Sequence, residues 1–485
     1  MKRNIKTLLV LLSVLALSFT MLAACGKKDD DEGKGNEVDN PVVEDVKDDD
    51  KQDVVEDEPV EEDPVEEEPT VDLGGMEIII GDWWSPQETP APTNAFQEAQ
   101  QEYREMIQEK YNFTMKQVAI TDWGGMQELF TTSTVAEDPA AQIFLLAPGW
   151  AVAPIANGLV YDLATLDSLD FSESKWIKNV TEATTYGDSI YGMNAGKPEP
   201  KLGVFWNKRL FQEAGLDPDH LYNLQASGEW TWEAFEDVCN TLTRDTNNDG
   251  ITDQYATVSF SVDLFRGAIT SNDARYVGKD ADGKYYSGIT DPNFLEAIQW
   301  AVGLIEKGYE MPAPPDSNWD WFGPAFNDGK VAIRVAEEYN SGQALASMED
   351  DFGFVLFPKG PKGGNKYAAY FSDNVGVIPS SYDKETAEKI AFAYNLWTDP
   401  VPGYEDSDAW KDSYYTKFRD ERAVDETLTM MFDEAVENND YSQFIGGLDM
   451  GPLFIWDVYA QAATPAERVE EIAGTMQSLI DEANK

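Results

Sequence analysis

The sequence predicts an α/β protein of two doubly wound lobes, and three observations carry that prediction. Setting aside the first 73 residues leaves about 410, more than one hydrophobic core usually supports. Residues 76–147 read as strand, helix, strand, helix, strand, the opening of a doubly wound sheet. A further strand at Val204–Trp206 then enters a second such unit and is followed by helices, so the pattern starts again.

Each element has a local reason. Met76 to Ile80 is a short apolar run, and Thr93 to Lys110 follows with Phe96, Ala99, Tyr103, Met106 and Ile107 at helical spacing behind a Thr93 N-cap. Phe113 to Ile120 reads as the second strand and Met126 to Thr134 as a helix. Ala141 to Ala147 is apolar throughout, as a strand buried on both faces requires. Beyond Val204–Trp206, helices are predicted at Thr231–Thr243 and Asp291–Lys307. The last helix opens at Thr464-Pro465-Ala466-Glu467, a capping box with proline at the first helical position.

The N-terminus reads as a secretion leader. Lys2, Arg3 and Lys6 precede an apolar run from Leu8 to Leu22 that is too short and one-sided to span a bilayer. Leu22-Ala23-Ala24-Cys25-Gly26 resembles the bacterial lipobox, which implies removal of residues 1–24 and diacylglycerol on the Cys25 thiol. Two acyl chains hold a protein on a membrane where one does not. Residues 27–73 contain 22 acids and 5 bases and too little apolar surface to order themselves, so residues 25–74 are expected to be a disordered tether. The expected location is the extracellular face of a Gram-positive cell membrane.

Charge and rare residues exclude whole classes. The net charge is −54; without the tether's −17 and the leader's +3, residues 74–485 carry −40. Such a surface repels phosphate backbones, so no nucleic-acid partner is expected. Cys239 is the other cysteine, with Phe235, Val238 and Leu242 on one helical stripe, and is read as a small core residue. His220 is the single histidine, which leaves Ser-His-Asp catalysis and multi-histidine zinc sites without support.

Four segments carry a family resemblance: Tyr191-Gly192-Met193 to Phe211 with Gly203-Val204-Phe205-Trp206-Asn207-Lys208 at its centre, Gly228 to Phe235, Ala325 to Ile333, and Gly376-Val377-Ile378-Pro379. In this order they resemble family 1 extracellular solute-binding proteins. The resemblance implies a type II periplasmic-binding-protein-like fold, its two lobes joined by hinge strands. The expected division is 75–195 with 337–378 as the first lobe and 196–336 with 379–485 as the second. It also implies a carbohydrate ligand, ABC permease subunits as partners, a monomer, and no catalysis.

A sugar has apolar ring faces and a hydroxyl rim, so aromatic and polar side chains together would hold it. Trp83 and Trp84 directly follow the first strand, where the carboxyl end of a parallel strand opens into a crevice, and Trp150 follows the third in the same way. Trp319 and Trp321 alternate with polar residues in a Pro-flanked loop. The resemblance adds Tyr339 and Trp456, at positions where relatives stack a ring on the sugar. Phe371 and Asn374, in Phe371-Ser372-Asp373-Asn374, are candidates for further contacts. Trp232, Trp300 and Trp397 lie in helices and are read as core.

Asp245-Thr246-Asn247-Asn248-Asp249-Gly250-Ile251-Thr252-Asp253 places oxygens at positions 1, 3, 5 and 9 of an EF-hand-like loop, with Gly250 at the sharp turn and the Ile251 carbonyl at position 7. Ala256 stands where the bidentate glutamate belongs, leaving Gln254 or water to substitute. Alginate-oligosaccharide-binding relatives carry a similar loop with calcium. A structural calcium ion is therefore expected, against a plain solvated Asx turn; no catalytic cofactor is expected. Two further functions stay open: a surface glycoside hydrolase, since aromatics and carboxylates serve both, and a module presenting ligand to a sensor.

Overall fold

The computed structural model describes residues 71–485 except 200, 406, 407, 434 and 438. The leader, Cys25 and nearly all of the tether lie outside the described residues. Among the described residues no helix is long and apolar enough to cross a membrane.

The first lobe is built as the sequence predicts. Strand β1 (Met76–Asp82) leads to helix α1 (Ala95–Tyr111), β2 (Phe113–Ala119), α2 (Met126–Val135), β3 (Ile143–Leu146) and α3 (Pro148–Ala156). The N-cap of α1 is Asn94 rather than Thr93. The Asn94 side chain accepts from the Gln97 N–H at 2.8 Å, while the Thr93 N–H and hydroxyl both donate to the Gln97 side chain. β1 pairs in parallel with β2 and β3, with Met76 opposite Phe113 and Ile80 opposite Ile143. Because both faces of this sheet are covered, Ile78, Ile80, Ile143 and Leu145 enter one core while Phe144 and Leu146 enter the other.

The second lobe holds β4 (Leu202–Asn207), α4 (Trp232–Leu242), β5 (Tyr255–Ser259), α5 (Ser261–Ser271), α6 (Pro292–Glu306), β6 (Val331–Glu337) and β7 (Phe352–Leu356). Its sheet runs β7-β4-β6-β5; β4 is antiparallel to both neighbours and β6 is parallel to β5. Gly329 adopts φ +68°, closing the turn into β6 with a conformation other residues rarely accept. Cys239 is buried with Phe235, Val238 and Leu242, as its stripe implies.

The chain returns to the first sheet as β8 (Val375–Val377), antiparallel to β3, and continues into α7 (Lys384–Trp397). This moves the lobe boundaries. Phe352–Leu356, fully buried, hydrogen-bonds to β4, so residues 337–372 belong mainly to the second lobe. Ala387, Ile390, Ala391 and Tyr394 of α7 pack with Ile78 and Ile80, which places α7 in the first lobe. The C-terminal helix α8 (Pro465–Ala483), with its capping box formed, returns Val469, Ile472, Met476 and Ile480 to the second core.

Two of the segments joining the lobes run side by side. Met193 and Gly376 exchange backbone hydrogen bonds of 3.0 and 2.7 Å, the Glu199 N–H donates to Asp373 at 2.8 Å, and the Lys201 N–H donates to the Tyr370 carbonyl at 2.9 Å.

Candidate functional site

The site begins at the end of β1. Asp82 is buried, and its carboxylate accepts from the N–H groups of Trp84 (3.0 Å) and Ser85 (2.8 Å), the Ser85 hydroxyl (2.5 Å) and the Gln117 amide (2.7 Å). These bonds fold the chain sharply just past the strand and fix Trp83 and Trp84 there. Trp83 meets Trp84, Trp123 and Trp150 edge to face, with ring centroids at 4.6, 4.9 and 5.3 Å; Trp123 and Trp150 are 4.2 Å apart. Each ring therefore braces the others in a favoured aromatic geometry.

Trp123 is absent from the sequence candidates. It occupies a single 3-10 turn, Trp123–Gly125, capped by Asp122. It stands just past β2, so the strand-end rule that picks out Trp83 and Trp150 also reaches it.

Opposite these rings, β6 ends at Glu337 and passes into a short turn that carries Tyr339. Asn340 holds the turn, donating to the Glu337 carbonyl at 2.9 Å and accepting from Arg334 at 3.1 Å, and the Glu338 N–H donates to the Lys201 carbonyl at 2.8 Å. Arg266 reaches in from α5, its guanidinium 4.5 Å from the centre of the Tyr370 ring.

Between the lobes lies a cavity of about 610 Å³. Trp83, Trp84, Trp123, Ala147 and Pro148 line it from the first lobe, Arg266, Glu337, Tyr339, Gln343 and Gln443 from the second, and Glu199, Lys201, Ser372 and Asn374 from the joining segments. That volume is typical of a small-molecule site, and an aromatic wall facing convergent polar groups suits a polyhydroxylated ring.

Of the sequence candidates, the cavity gathers Trp83, Trp84, Tyr339 and Asn374. Trp150 stands behind the wall as a brace. Phe371 packs beside the second core and lines a small recess that adjoins the cavity through Pro148, Ser372 and Gln443. Trp319 is 79% exposed and groups loosely with Phe260 and Phe322; Trp321 is beside Phe322. Trp456, 54% exposed, follows a separate helical turn at 451–455. None of these four lines the cavity. A loop position makes a ring available, but only its strand end aims it inward.

Charge under the site is tightly balanced. Lys201 pairs with Glu199. Burial, with Glu199 nearby, pushes Glu338 up to about 8, and burial against Glu337 pushes Asp263 up to about 8. Burial also raises Asp373 to about 7, against the pull of its bond from the Glu199 N–H. Arg334 is buried in β6 with two guanidinium nitrogens lacking hydrogen-bond partners, and burial lowers its pKa.

The acidic loop is a web of Asx turns. Asp245 accepts from the N–H groups of Asn248 and Gly250 at 2.6 and 2.7 Å, and Asp249 from that of Ile251 at 2.8 Å. Asp253 accepts from Thr246 and from the Asn247 side chain. Gln254 is withdrawn from the candidate ligands, being buried, donating to the Leu242 carbonyl and accepting from Arg244. Among the described residues, no group of three or more His, Cys, Asp or Glu side chains is placed to hold a metal.

The family model described as bacterial extracellular solute-binding protein matches residues 89–393. A sequence search of curated proteins gives no match. Among solved structures, UgpB from Mycobacterium tuberculosis in complex with glycerophosphocholine is similar at TM-score 0.60 and 18% identity, covering 84% of this chain and all of that one. The substrate-binding protein Lmo0181 from Listeria monocytogenes, in complex with cycloalternan, is similar at TM-score 0.58 and 17% identity, over 84% and 99%. Maltose-bound MalE3 from T. maritima is similar at TM-score 0.53 and 17% identity, over 84% and 100%.

Proposed function

Since the chain belongs to the bacterial extracellular solute-binding protein family and has the type II periplasmic-binding-protein fold, we propose that it captures an oligosaccharide between its lobes and delivers it to an ABC permease. The observation that carries this reading is the cavity itself, with braced tryptophan rings on one lobe facing Arg266, Glu337 and Tyr339 on the other. Rings take the apolar sugar face, and the opposite wall takes the hydroxyls. Closure follows because a ligand touching both walls binds the shut form better than the open one.

Glycan-array binding followed by calorimetry tests the ligand class; absence of binding to any carbohydrate overturns it. X-ray scattering should show a smaller radius of gyration at saturation, and an unchanged curve overturns the closure step. The bound sugar leaves uncut, so prolonged incubation should return oligosaccharides of unchanged length. Shortened products would favour the hydrolase reading, since Glu199 and Glu337 both line the cavity.

In this reading the protein works as a monomer on the outer face of the membrane, held by lipid on Cys25. Cys25→Ala should then leave the membrane fraction, and its retention there would overturn the anchor. For the 245–253 loop to hold the expected calcium ion, Asp245, Asp249 and Asp253 must turn from their hydrogen bonds within the loop and converge with Asn247 and the Ile251 carbonyl. Calcium titration of the parent should release heat that Asp249→Ala abolishes, and no heat from the parent overturns the ion.

A further inference from the structure

We propose that the ligand does not end in the cleft: an oligosaccharide chain runs from it past Trp84 into further subsites on the first lobe, between α1, residues 89–92 and the end of α7. This rests on the carbohydrate reading above and extends it.

The cleft shares Trp84, Glu199 and Asn374 with a second cavity of about 470 Å³. Through Gln100, Arg104, Gln117 and Trp397 the second joins a third of about 520 Å³, which is bordered by Thr89, Pro90, Ala91 and Pro92. Each space alone is the size of one compact small-molecule site. End to end they form a trough, whose natural occupant is a chain.

The lining has the chemistry of a sugar path. Trp84 is exposed at the first junction. At the second, the Arg104 guanidinium lies 3.9 Å from the centre of the Trp397 ring, a flat stacked pair, and Arg104 Nε is buried with no hydrogen-bond partner. α1 places Gln97, Gln100, Gln101, Arg104 and Gln108 at helical spacing on one face, and all five line the third cavity. An amide both donates and accepts, which matches hydroxyl groups of either orientation.

Most charges along the path are already paired, Arg104 and Lys116 being the exceptions. Glu199 pairs with Lys201, Asp399 with Lys175 at 2.5 Å, and Glu105 accepts from Gln101 at 2.8 Å. Lys197 faces Asp433 at 3.8 Å.

The test is calorimetry on the detergent-solubilised full chain with malto-, cello-, xylo- and manno-oligosaccharides and oligogalacturonides from disaccharide to octasaccharide. Affinity should keep rising with length in the preferred series, by about tenfold from the shortest binder to the longest, the worth of one good stacking contact. The double variant Gln100→Ala/Gln101→Ala, on the surface of α1, and Trp397→Ala should each remove most of that rise and leave the shortest binder unchanged. Thermal unfolding identifies a Trp397→Ala protein that does not fold, in which case the double variant decides. Affinity independent of length, or a rise that survives in the double variant, overturns the extended path while leaving the cleft intact. Failure of every sugar to bind overturns the carbohydrate reading, and this proposal with it.

Discussion

The two walls of the cleft are made differently. The first lobe presents Trp83, Trp84 and Trp123, uncharged rings braced by one another and by Trp150, each at the carboxyl end of a strand or just beyond it. The second presents Arg266, Glu337, Tyr339 and Gln343, from a helix and from the turn after one strand. Stacking is tolerant of sugar identity, whereas hydrogen bonds from fixed charged groups are not. On the proposed carbohydrate reading, the contrast divides the labour: the first lobe would supply affinity for the ring, and the second would supply selection and the pull that shuts the cleft.

The largest expected effect is on the aromatic wall. Trp83→Ala removes the ring that touches three others, and calorimetry should show sugar affinity lower by roughly 30- to 1000-fold, as for a central aromatic anchor. A loss of less than about threefold would break the assignment of affinity to the first lobe. Arg266→Ala should cost less, roughly ten- to a hundredfold, the worth of a charge-assisted hydrogen bond. It should also abolish the ligand-induced compaction seen by scattering; full compaction in this variant would mean that closure does not depend on the second wall.

A third, smaller effect is on pH. Asp373 and Glu338 sit at the joining segments with values raised to about 7 and about 8, chiefly by burial. A raised acid binds a proton in the folded protein that the unfolded chain releases, so its stabilisation is complete below the ordinary carboxylate range and is lost as pH rises through 7 to 8. Thermal unfolding should therefore occur at a Tm roughly 2–4 °C higher at pH 5.5 than at pH 8.5. Asp373→Asn should reduce that dependence without abolishing it, since Glu338 and Asp263 are raised into the same range; an unchanged slope would exclude Asp373 as a contributor. The smallest effects belong to rings outside the cavity: Trp319→Ala and Trp456→Ala should each shift sugar affinity by less than about twofold, as surface substitutions do. A tenfold loss at either would bring that ring into the site and redraw the second wall.

Legibility in the sequence followed the range of the interactions involved. The strands of the first lobe, the capping box at Thr464 and the stripe around Cys239 are set by neighbours a few residues apart, and they stand where the sequence puts them. The lobe boundaries did not, because β7 is an apolar run that pairs with β4 some 150 positions earlier in the chain, and nothing local distinguishes it from a first-lobe strand. Arg266 carries no local signal in the sequence that sets it apart from the chain's other arginines. Arg275, equally plausible from composition, pairs with Asp273 in a turn, and Arg334 is buried in a strand. Trp397 reads as core from its helix and does pack beside the first-lobe core, but the end of α7 also sets it against Arg104 along an open trough.

The sequence by itself determined the α/β character of the chain, its strong acidity, and the tryptophans set at strand ends, because periodicity, charge and strand-end position are properties of short segments. Only the tertiary structure decided which rings share a wall, which charges are already paired and where the chain crosses between lobes. Those depend on strand pairing and burial between residues far apart in sequence, where many partners are chemically acceptable and packing admits one.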